Sequence, residues 1–123
     1  MIKHIAFFSL FVSLNAQAFE GMTLYSPAQG GNGGGGGTFY SYLIDNDLNV
    51  IKSWSHPYGA ASMPYLNLDS TLLYPYRVPN PTMSVGGVGG GISIYSWEGD
   101  LIWDYEVSDE IYQHHHDVEP LPN

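Results

Sequence analysis

Three consecutive imidazoles, His114, His115 and His116, followed at once by Asp117, are the side chains here best suited to chemistry. A neutral imidazole nitrogen is a competent nucleophile or base near pH 7, and the protonated ring is a cation and a donor. Groups of that kind can hold a transferring anion, whose charge spreads over its oxygens, and can move a proton to or from it. Asp117 is suited to fixing a tautomer by accepting a ring N–H. A zinc or copper site ranks second, because histidine tracts bind such metals. No further ligands accompany the tract, so no metal is assigned. An exposed polar turn is the plain alternative. If residues 114–118 are extended, His114 and His116 share one face and His115 and Asp117 the other. His115 and His116 then act together only where a loop or bulge breaks the alternation. His116 is the favoured residue and His115 the second.

The chain that must deliver these rings is short and acidic. Its 123 residues hold twelve Asp and Glu against three Lys and Arg, a formal charge of −9. Such a balance has no footprint for nucleic acid or for an anionic membrane. Residues 1–18 read as a secretory signal peptide: Lys3 supplies the charge, 5–14 the apolar run, and Ala16-Gln17-Ala18 the cleavage site. That run is too short to span a bilayer. A mature start at Phe19 and a periplasmic or secreted location are expected. Without cysteine no disulfide can form, so packing and hydrogen bonds must hold the fold.

Residues 19–37 hold one short strand candidate, 22–25, and then a glycine-rich stretch that reads as a linker. Residues 38–44 (TFYSYLI) and 50–54 (VIKSW) read as a hairpin about the turn 45–49. Asp45, Asp47 and Asn49 open like a calcium loop, but Val50 and His56 stand where glycine and glutamate are required. His56 reads as an exposed histidine in a Pro/Gly loop. Residues 65–68 and 71–74 form a second short hairpin, and 75–83, with three prolines, should be irregular or at a sheet edge. Arg77 reads there as a solvated charge. The run 86–91 fails the dinucleotide fingerprint at Ile92, so it reads as backbone lying close to its neighbours. Residues 92–97 and 101–105 make the last hairpin, and sustained helical periodicity is absent.

The first and last hairpins align without a gap. IDNDLNVIKSW (44–54) falls on YSWEGDLIWDY (95–105) at an offset of 51 residues. Leu68 similarly falls on Leu121 at an offset of 53. Short strands repeating about every fifty residues point to propeller blades, which typically have four strands. A small β-sandwich with similar hairpins is the alternative. The fold expected is therefore all-β, a partial propeller of about one and a half blades over 38–123. Blades need neighbours, so a chain with so few reads as the N-terminal part of something larger.

With these pieces in place, YLIDNDLNVIKSWSH (42–56), GGISIYSWEGDLIWDYE (90–106) and HHDVEPLPN (115–123) resemble bacterial arylsulfotransferases of the exported type. The resemblance covers roughly the last two thirds of the chain. It implies a six-bladed propeller that passes a sulfuryl group from an aryl sulfate to a phenol through a sulfated histidine. It carries a sulfuryl-binding or acid–base role onto His116 and His115 only, with Asp117 in support. The nucleophile of that family lies in a later blade, and no residue here matches it, so the chain by itself is expected to be inactive. The partners implied are aryl sulfates and phenols, with no cofactor. The alternative function is a secreted, non-catalytic binding module of the same fold.

Overall fold

The computed structural model describes residues 19–27, 37–83 and 86–121. The leader read at 1–18 and most of the glycine linker lie outside these residues. Seven strands follow one another: β1 (Thr23–Tyr25), β2 (Phe39–Ile44), β3 (Val50–His56), β4 (Tyr65–Leu66), β5 (Leu72–Arg77), β6 (Gly90–Tyr95) and β7 (Leu101–Glu106). No helix occurs among the described residues. The strands form two antiparallel sheets, β1-β2-β3 and β4-β5-β6-β7, each pairing sequence neighbours. The all-β expectation therefore holds.

Alternation explains which side of each strand turns inward. In β3, Trp54 and His56 are buried while Ser53 and Ser55, which alternate with them, are exposed. In β2, Ser41 and Leu43 are buried. This face lies against the second sheet, where Leu72, Tyr74, Tyr76, Val78 and Tyr95 complete one core. The Trp54 indole N–H reaches the Ser96 carbonyl at 2.9 Å, so its polar atom is satisfied inside that core. Burying a side chain of this size stabilises by about 3 kcal/mol.

The 51-residue repeat is visible bond by bond. The β2–β3 register shifts between Leu43 and Ile44, and the β6–β7 register shifts between Ile94 and Tyr95. Each of these pairs of positions is one repeat apart. In the first turn Asp45 N–H donates to the Asn49 carbonyl and Leu48 N–H to the Asp45 carbonyl. In the second, Ser96 donates to Asp100 and Gly99 to Ser96 in the same way. Even the caps correspond, with Asp45 Oδ1 accepting from Asn49 N–H and Ser96 Oγ accepting from Asp100 N–H. β1 also pairs with β2 as β5 pairs with β6: Leu24 faces Leu43, and Leu73 faces Ile94. Asp45 thus acts as a turn cap.

Four readings need correction. His56 is the last residue of β3 and is 2% exposed, because the strand runs two residues past Trp54 and alternation turns it inward. Pro75 and Arg77 belong to β5, not to an irregular segment. The Pro75 carbonyl accepts from Ala61 N–H, so the proline's missing donor faces the 59–61 segment and no bond to β6 is lost. Arg77 is half-buried, with its Nε enclosed, rather than solvated. Leu68 lies beyond β4 and Leu121 is in no strand, so the Leu68–Leu121 match does not extend into paired structure.

Candidate functional site

The histidines are carried by a loop that folds back after β7. Val107 N–H donates to the Gly90 carbonyl at 2.6 Å, and Asp109 then caps a turn by accepting from Ile111 and Tyr112 N–H. Ser108 bridges to Gln113, and His114 N–H returns to the Val107 carbonyl at 2.8 Å. The chain now runs antiparallel to the glycine-rich segment: Gly89 N–H donates to the His114 carbonyl, His115 bridges to Val88, and His116 N–H donates to the Gly87 carbonyl. Close approach is what the glycines permit here. A Cβ on Gly87 would overlap the His116 ring and come 2.8 Å from His115 Cε1, and its φ of +83° already favours glycine.

His116 has a φ of +66°, and this left-handed residue breaks the strand alternation. This is the kind of break that bringing both rings to one side requires. The His115 and His116 rings meet edge to face, 4.1 Å between centroids, with their Nδ1 atoms 2.6 Å apart. Proton positions follow from the outer partner. His115 Nε2 lies 2.8 Å from the Gly86 carbonyl, an acceptor only, so it carries hydrogen. His115 Nδ1 is then an acceptor in the neutral ring, and His116 Nδ1 donates to it. This leaves His116 Nε2 with its lone pair. The neutral pair offers a base or nucleophile there; on protonation the same atom becomes a donor on a cation.

The remaining residues of the tract do other work. His114 Nε2 lies 3.0 Å from the Asp117 carbonyl, and its Nδ1 accepts weakly from Gly90 N–H at 3.4 Å. The Asp117 carboxylate does not meet a ring of the pair. It accepts from the Tyr65 hydroxyl at 2.5 Å, and this bond chiefly holds its pKa below the ordinary value while raising that of Tyr65. Asp117 therefore ties the loop to β4, and its backbone orients His114. His115, His116 and Asp117 are exposed, with His114 half-buried. No group of three or more His, Cys, Asp or Glu side chains is arranged to hold a metal among the described residues.

The chain matches no family model, no curated protein and no solved structure.

Sequence reasoning missed two further features. Ser26 Oγ, Ser41 Oγ and His56 Nε2 form a chain of hydrogen bonds, 2.6 and 2.9 Å long, running from the edge of the first sheet into the core. His56 stacks on Tyr74 at 3.6 Å, nearly parallel. Burial pushes its pKa down to about 4, so the ring is neutral at pH 7. Ser26 and Tyr74 also line the second feature, a cavity of about 350 Å³ walled by Phe39, Tyr40, Met63 and Arg77. None of its lining residues is acidic. The alternation in β3 could have placed His56; nothing local in the sequence marks the cavity. No helix among the described residues is long and apolar enough to cross a membrane.

Proposed function

We propose that this chain is an exported part of an arylsulfotransferase-like β-propeller, its two sheets being successive blades. The His115–His116 pair would hold the sulfuryl group of an aryl sulfate and exchange a proton with the phenolic oxygen. The observation that carries this reading is the Nδ1-to-Nδ1 bond anchored on the Gly86 carbonyl, which leaves His116 Nε2, lying beside Gly87, with its lone pair and no hydrogen bond among the described residues. Protonated, that atom is a donor to a sulfuryl oxygen and to a departing phenolate; neutral, it takes a proton from an acceptor phenol. The bond-by-bond repeat supports the blade assignment. Export rests on the pattern of residues 1–18.

The test is 4-nitrophenyl sulfate, with and without phenol, given to the purified full chain. Expected is binding that weakens about tenfold or more in His116→Ala. No steady-state turnover is expected, since the family's nucleophile has no counterpart here. Robust turnover, or binding untouched by His116→Ala and His115→Ala, would contradict the reading.

One observation favours a second reading, a non-catalytic binding module. The cavity beside β1 and β2 sets Arg77 among aromatic walls, and the Nε of Arg77 is buried with no partner among the described residues. Such a site suits a small aromatic anion. Binding of 4-hydroxybenzoate that is lost in Arg77→Gln, with no sulfate ester bound at the histidines, would favour it.

A further inference from the structure

The two sheets do not meet through equivalent faces. Leu24, Leu43 and Trp54, which pack inward from the first sheet, correspond in the repeat to Leu73, Ile94 and Tyr105. Those residues lie on the far side of the second sheet, away from Leu72, Tyr74 and Tyr95 that receive the first sheet. Each sheet thus has a front and a back, and the front of the first sits on the back of the second. A contact of unlike surfaces is heterologous and does not close on itself as a two-fold contact does.

One front and one back are left over. The open front of the second sheet carries Trp103 and Tyr105, stacked at 5.8 Å and 44% and 56% exposed, beside half-buried Ile92 and Ile94. It is the more apolar version of the front already packed, with Trp103 in the position of Lys52 and Ile92 in that of Ser41. The open back of the first sheet carries Tyr25, Tyr42 and Ile44, in the positions of Tyr74, Ser93 and Tyr95.

We propose that a second copy of this chain seats the back of its β1–β3 sheet on the front of β6 and β7, beside the part over β5 where Leu73 and Pro75 are already buried, so that the protein self-associates head to tail. The occupant is given by the molecule itself: the same pair of faces already packs within one chain. A charge of −9 on each copy opposes the contact, so association strengthens with salt. The inference is independent of sulfuryl transfer, since it uses none of the histidines, and in it a second copy stands where a further blade of the proposed propeller would.

Sedimentation velocity on the full chain, from low micromolar to submillimolar concentration and at two salt concentrations, tests it. Expected are dimers and larger species that increase with both. Trp103→Glu breaks the front and Tyr25→Glu the back, and each alone should raise the apparent Kd at least about tenfold. Mixed, the two variants retain one intact front and one intact back, and should form a one-to-one pair that grows no further. Far-UV circular dichroism checks folding, with Tyr105→Glu as the second front variant. A wild-type chain that stays monomeric throughout, folded single variants that associate as wild type does, or a mixture that fails to pair would overturn the proposal.

Discussion

Gly87 is the residue on which the histidine pair depends. It combines a positive φ with a ring lying where its Cβ would be, so Gly87→Ala must displace His116. We expect that variant to lose at least about 1 kcal/mol in urea unfolding and, more tellingly, the shared imidazole hydrogen bond seen by nitrogen NMR. His56 makes a separate prediction. Its folded pKa is about 4 against an unfolded value near 6.5, so the unfolded chain takes up the proton first as pH falls. The stabilisation is complete above about pH 6.5 and is lost on descending to about 4; a shift of this size corresponds to ~3 kcal/mol. His56→Phe, which keeps the stack on Tyr74, should flatten this part of the stability–pH profile, and an unchanged acid limb would refute the assignment. The histidine tract was legible as a cluster. Its geometry was not, because a left-handed residue at His116 and a glycine one sheet edge away have no local signature.

Among the elements, the two hairpin turns form an internal control. Leu48 and Gly99 hold the same place in the repeat, and both have positive φ, +66° and +108°. Leucine in that region is strained by roughly 1–2 kcal/mol, while glycine is not. Leu48→Gly should therefore stabilise by about 1 kcal/mol in urea unfolding, and Gly99→Leu should destabilise by a similar amount. A destabilising Leu48→Gly together with a stabilising Gly99→Leu would break the structural equivalence. The hairpins themselves were readable from alternation and turn residues. The strand character of Pro75 was not, since a proline's effect depends on which side of the strand its nitrogen faces. Gly91 is similar: its role is to leave room for the Tyr76 ring, a contact between strands that no local pattern announces.

For the molecule as a whole, the repeat was the most informative long-range signal, because matching turns impose matching registers. What it did not reveal was which face of each sheet would be covered, or that Arg77 would border a cavity free of carboxylates. These depend on how the sheets stack. The acidic surface has a functional consequence too. An anion approaches this protein against a net charge of −9, so any binding must come from donors placed locally and should strengthen as salt screens the remainder. The pair at His115 and His116 is the proposed local source of such donors. The most direct test is nitrogen NMR of the imidazoles through a pH titration, with and without 4-nitrophenyl sulfate. Expected are hydrogen on His115 Nε2 and His116 Nδ1 in the neutral protein, and a change in the His116 Nε2 signal when the sulfate ester is added. Two independent imidazoles, both in the Nε2–H form and indifferent to the ester, would contradict it.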